Sequence, residues 1–143
     1  MKIDGYNLVY NSEKEDKSNI ESFVLDAKNS NIIINDKYKV LADNYKIISN
    51  KNNTKFDLNY QNAKVNYIKD ENKEITLSAL NINDHFVNTF FNKDMVKNGT
   101  FDLTANGKDE YISGKMVFHN NRLKNLRVLN NIITIVNTTP ALI

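Results

Sequence analysis

The sequence predicts a mainly β protein: an antiparallel meander of about seven to ten short strands, one short helix near 84–92, and an apolar C-terminal helix near 123–137. Three observations predict it. Apolar and polar residues alternate with a period of two over most of the chain, the mark of strands with one buried face. The alternating runs recur at intervals of roughly 8 to 12 residues, separated by Asn-, Asp- and Lys-rich turns. The rhythm then breaks twice, and at each break the apolar spacing becomes helical.

The runs follow in order. Tyr6, Leu8 and Tyr10 open the pattern, and a polar loop covers Asn11 to Asn19. Phe23, Leu25 and Ala27 come next, then Ile32 and Ile34, Tyr38, Val40 and Ala42, and Tyr45 and Ile47. Phe56, Leu58 and Tyr60 form another run, followed by Ala63, Val65 and Tyr67, then Ile75, Leu77 and Ala79. Short connections make up-and-down neighbours the default topology. At Asn83 to Asn92, Asp84 offers an N-cap, and Phe86, Val87, Phe90 and Phe91 share one helical face. Phe101, Leu103 and Ala105 then alternate up to the Asn106-Gly107 turn, and Ile112, Gly114, Met116 and Phe118 alternate after it. From Leu123 the apolar residues Leu126, Leu129, Ile133 and Val136 fall at helical spacing, opposite a narrow polar stripe of Lys124, Arg127, Asn131 and Thr134. Pro140 ends that helix. One reading lays it on the sheet as a core helix; the sharper one places it across the mouth of an apolar groove.

Composition narrows the function classes. The chain has 143 residues, 41% hydrophobic and 25% charged, which suits one globular domain with a real core. Net charge is +2 with both signs interspersed, so no basic face argues for nucleic acid. There are no cysteines, which excludes disulfides, thiol catalysis and cysteine metal sites. The longest apolar segment, Leu126 to Val136, is interrupted by Arg127, Asn130 and Asn131 and reaches only about half of a ~30 Å bilayer core. The Asn and Lys content reads as coding bias without functional weight.

Reactive chemistry finds no foothold in the pattern. His85 and His119 have no partner at metal-ligand spacing. There is no G-x-S-x-G elbow, and four unclustered glycines make no phosphate loop. Asp109-Glu110 and the Glu13, Glu15 and Asp16 group read as solvated turns. The seven tyrosines and seven phenylalanines lie mostly on the same alternating face as Leu, Val and Ile, which favours a core over a stacking platform. No catalytic residue, metal or cofactor is expected.

The last 45 residues or so carry a resemblance. The run Gly99-Thr-Phe-Asp-Leu-Thr-Ala-Asn-Gly, the run from Ile112 to Leu126, and the segment Leu129-Asn-Asn-Ile-Ile-Thr-Ile-Val-Asn-Thr-Thr-Pro-Ala-Leu resemble the C-terminal part of the large YhdP-type members of the AsmA-like envelope proteins. By residue pattern alone the sheet could close as a barrel, pack as a sandwich or stay open. The resemblance implies the last: a curved groove or half-barrel with an apolar interior, belonging to a longer protein whose membrane anchor precedes this segment. It implies a non-enzymatic role in moving phospholipid between inner and outer membranes, with the parent anchored in the inner membrane and facing the periplasm. The expected partners are phospholipid acyl chains and the remaining segments of the parent protein. The expected groove lining is Val65, Tyr67, Ile75, Leu77, Ala79, Phe101, Leu103, Met116 and Phe118, with Leu126, Leu129, Ile133 and Val136 on a helix at the groove end. The alternative is a structural or protein-interaction β-domain of the envelope with a filled interior; a hydrolase is the third class.

Overall fold

The structure, a computed structural model, describes residues 1–11, 22–108, 111–119 and 122–123. In chain order the elements are β1 (Lys2–Asp4), β2 (Leu8–Tyr10), β3 (Ser22–Lys28), β4 (Ile32–Ile34), β5 (Tyr38–Val40), β6 (Asn44–Asn50), β7 (Thr54–Tyr60), β8 (Ala63–Lys69), β9 (Glu74–Asn83), α1 (Asp84–Phe91), β10 (Val96–Lys97), β11 (Thr100–Lys108), β12 (Tyr111–His119) and β13 (Arg122–Leu123). Eight of them form one sheet in the order β1-β3-β6-β7-β8-β9-β11-β12. The sheet is open, with β1 and β12 as its edges among the described residues.

From β6 to β12 the sheet is the expected up-and-down path, each neighbouring pair antiparallel. Before β6 the expectation of a single meander fails. The chain leaves β1 at Gly5, whose φ of +79° suits glycine, and β2 pairs with β4 and β5 in a separate three-stranded sheet. Asparagines build the corner: Asn31 donates its backbone N–H to Asn7 Oδ1, and Asn31 Oδ1 accepts from the backbone N–H of Ala42. Five of the eight described non-glycine residues with positive φ are asparagines: Asn29, Asn35, Asn81, Asn92 and Asn98. Asparagine tolerates the left-handed region better than most residues. Its abundance therefore has a structural use that the coding-bias reading passes over.

Pairing aligns the inner face of the large sheet into rows. One row runs Ala27, Tyr45, Leu58, Val65, Ala79, Leu103, Met116 across seven strands. The next runs Leu25, Ile47, Phe56, Tyr67, Leu77, Ala105, Gly114. A third begins where β9 is bulged: Leu80 and Asn81 together stand opposite Asp102, so Ile82 turns to the inner face and pairs with Phe101, which pairs with Phe118. Asp102 fastens the bulge from the outer face. Its Oδ1 accepts from the Asn81 backbone N–H at 2.8 Å, and its Oδ2 lies 3.2 Å from His119 Nε2. Those two contacts, the Asn81 bond foremost, hold the carboxyl below the usual carboxylate range.

The helix begins at Asp84, as the sequence pattern suggests, but its cap is a different residue. Asn83, not Asp84, is the N-cap, its Oδ1 accepting from the Phe86 backbone N–H at 2.8 Å. Asp84 occupies the first turn, where its charge suits the helix dipole, and its Oδ2 accepts from the Asn98 backbone N–H. Asn92 closes the helix in the left-handed conformation. Asn88 then clamps the following loop: its side chain accepts from the backbone N–H groups of Met95 and Val96 and donates to the carbonyl of Val96. The expected helix near 123–137 starts where the structure has a strand residue, since Arg122–Leu123 pairs with Val96–Lys97. Its groove-end residues Leu126, Leu129, Ile133 and Val136 lie outside the described residues.

An apolar cavity between two layers

The small sheet and α1 lie over the inner face of the large sheet, and between them is a partly open cavity of about 250 Å³. The large sheet supplies Ile47, Phe56, Leu58, Val65, Tyr67, Leu77, Ala79, Phe101 and Leu103. The small sheet supplies Leu8, Tyr10, Ile32, Ile34 and Val40. The third wall is Ile82 with the helix side chains Phe86, Val87, Phe90 and Phe91. Among the described residues no charged side chain lines it, and Tyr10 and Tyr67 carry the only side-chain polar atoms. A dry apolar cavity of ~150 Å³ is enough to hold benzene, so this one has room for a larger hydrocarbon group.

The helix is held over the cavity mainly by rings. Tyr38 stacks on Phe90 with centroids 5.0 Å apart and meets Phe91 edge-on at 6.5 Å. On the sheet side Tyr60 contacts Phe86 at 5.9 Å. Below the rings, Val87 is buried with Ala79, Ile82, Met95, Val96, Phe101 and Leu103.

Two buried tyrosines in the sheet differ. The hydroxyls of Tyr45 and Ser30 lie 3.1 Å apart and satisfy each other. Burial still raises the Tyr45 pKa, with the Ser30 bond opposing it. Tyr67 lies in the next row, 2% exposed, and its hydroxyl is buried with no hydrogen-bond partner among the described residues. Burial pushes its pKa from 10.0 up to about 12. An unsatisfied buried polar group costs about 1–3 kcal/mol, so Tyr67→Phe is expected to raise stability by about 1 kcal/mol in urea unfolding. The pH dependence should change as well. The folded state holds the Tyr67 proton more tightly than the unfolded chain does. That contribution is complete below pH 10.0 and is lost as pH rises toward about 12, a loss the phenylalanine variant escapes. A destabilised Tyr67→Phe would mean that the hydroxyl has a partner.

The nine residues expected to line a groove all sit on the inner face, but the cavity gathers six: Val65, Tyr67, Leu77, Ala79, Phe101 and Leu103. Ile75 is buried one row further along β9, paired with Gly107 and Lys69, beyond the cavity. Met116 and Phe118 belong to the edge strand. Met116 packs against the core from outside the cavity, and Phe118 is 36% exposed with its ring 6.0 Å from that of Phe101. The helix face of Phe86, Val87, Phe90 and Phe91 was legible in the sequence as a packing surface but not as a cavity wall. Ile82 was hidden by the bulge, which breaks the period of two; the apolar Ile82 three residues after Ala79 is its one sequence trace.

The two histidines stand apart from the cavity, His85 exposed on α1 and His119 on the outer face with Asp102. Among the described residues no three His, Asp or Glu side chains converge to hold a metal. Compared with known proteins, the chain matches no family model, no curated protein and no solved structure.

Proposed function

We propose that this chain is a non-enzymatic lipid-binding segment of an AsmA-like envelope protein, and that the cavity holds phospholipid acyl chains on their way between inner and outer membranes. The observation that carries the reading is the cavity itself: about 250 Å³ of space, walled by the two sheets and α1, with no charged residue in its described lining. Well-packed interiors have few voids larger than a water molecule, so an apolar space of this size suits a hydrocarbon occupant. Burial contributes about 0.8 kcal/mol per CH₂, enough for a chain of several carbons to bind without any reactive group. The C-terminal resemblance supports placing the segment in an elongated groove whose parent is anchored in the inner membrane and faces the periplasm. Among the described residues β12 is an edge of the sheet, where such a groove would continue.

The competing reading is a structural or protein-interaction β-domain. Its support is the second layer, which covers much of the inner face and leaves two well-buried clusters. Mass spectrometry of lipid extracts separates the two. Protein purified from cells should carry acyl lipid in near-stoichiometric amount, and a lipid-free protein with an unchanged fold would favour the structural reading.

A further inference from the structure

Outside the ring contacts of α1 lies a second concavity of about 590 Å³, lined by Lys37, Lys39, Asn88, Thr89, Asn92, Lys93 and Asp94. Three ammonium groups there stand against one carboxylate. Both concavities draw lining residues from α1 and β5. Phe90, Phe91 and Val40 face the apolar cavity, while their chain neighbours Thr89, Asn92 and Lys39 face the charged cleft. The Lys37 ammonium sits 5.1 Å from the centre of the Tyr38 ring, and that ring stacks on Phe90. Among the described residues no backbone hydrogen bond joins α1 to β5. The seam is closed by side chains, which part more readily than a hydrogen-bonded ladder.

We infer that the cleft takes the anionic headgroup of a single-chain amphiphile whose hydrocarbon chain lies in the cavity, threaded through the α1–β5 seam. The inference rests on the acyl-binding reading above and narrows the occupant from phospholipid to an amphiphile with one chain. Size argues for one chain, because about 250 Å³ falls below the ~300–1,000 Å³ of pockets that enclose drug-sized ligands. Charge argues for an anion, carboxylate or phosphate, because the cleft carries three lysines to one aspartate. The carbonyl end of α1 opposes an anion, but the end effect of an eight-residue helix at an exposed site is small beside three full charges. The position argues for an amphiphile, because charge and hydrocarbon space share the walls of one seam.

Calorimetric titration of the intact chain with decanoate, decanol and inorganic phosphate tests this, alongside a Lys37→Gln/Lys39→Gln/Lys93→Gln variant. These lysines are exposed, so the variant should keep the fold, which circular dichroism checks. Decanoate should bind about tenfold tighter than decanol, and the triple variant should erase that difference while leaving decanol unchanged. Equal binding of decanoate and decanol by both proteins would overturn the inference and leave the cavity reading standing. Phosphate binding as tight as decanoate would make the cleft a free-anion site and also overturn it. Binding of neither decanoate nor decanol would remove the cavity reading and this inference with it.

Discussion

Leu103→Asp should cost several kcal/mol of stability and remove acyl binding. Leu103 is 6% exposed at the middle of β11, paired with Ala79 on one side and Met116 on the other, and it forms part of the cavity wall. An ionised carboxylate there faces an apolar wall with no charged residue in its described lining, so no countercharge would offset its desolvation. The chain would either unfold or keep the carboxyl protonated. In the second case the folded pKa is raised, so the penalty grows above the ordinary Asp range and shrinks as pH falls toward about 4. Urea unfolding as a function of pH measures that slope, and Leu103→Ala separates it from simple loss of volume. Phe118→Asp should be far milder. Phe118 is 36% exposed on the edge strand, outside the cavity, and water can reach the new charge.

Leu58→Ala should cost about 2–5 kcal/mol. Leu58 is 1% exposed between Tyr45 and Val65, where it belongs to the buried cluster under the small sheet and also forms cavity wall. Removing its methyl groups extends an existing space that the flanking strands, fixed by pairing on both sides, cannot collapse to fill. For a domain of this size the melting temperature should fall by on the order of 10 °C. Val24→Ala on the opposite face is the control. Val24 is 48% exposed, pairs with the exposed Ile48, and should change stability by no more than about 0.5 kcal/mol. Comparable losses at both positions would mean that the inner face is not the core.

How much of this was legible in the sequence depended on the range of the interaction. Strand alternation is local, and it marked which side of β7, β8, β9 and β11 faces inward: Leu58, Val65, Leu77 and Leu103 share that face as the period of two required. The helical face of Phe86, Val87, Phe90 and Phe91 was equally local. The second layer was not. Ile32, Ile34, Tyr38 and Val40 alternate as main-sheet strands would, and nothing in their spacing shows that β4 leaves that sheet to pair with β2, and β5 to pair with β4. That choice depends on a parallel pairing across more than twenty residues and on the corner built by Gly5, Asn7 and Asn31. The cavity exists only where the second layer overlaps the first. A shared face was therefore readable, while the exclusion of Ile75, Met116 and Phe118 from the cavity was not. The Asp102 carboxylate at the bulge likewise joins residues 21 apart and leaves no periodic trace.

Hydrocarbon that enters between the two layers, as proposed above, would be reported residue by residue by amide chemical shifts. Titrating decanol into isotopically labelled protein should shift the amides of Leu77, Leu103 and Phe90, which border the cavity, and leave Val24, Ile48 and Ile68 on the outer face unchanged. Shifts concentrated on Val24, Ile48 and Ile68, or no shifts at saturating decanol, would contradict that proposal.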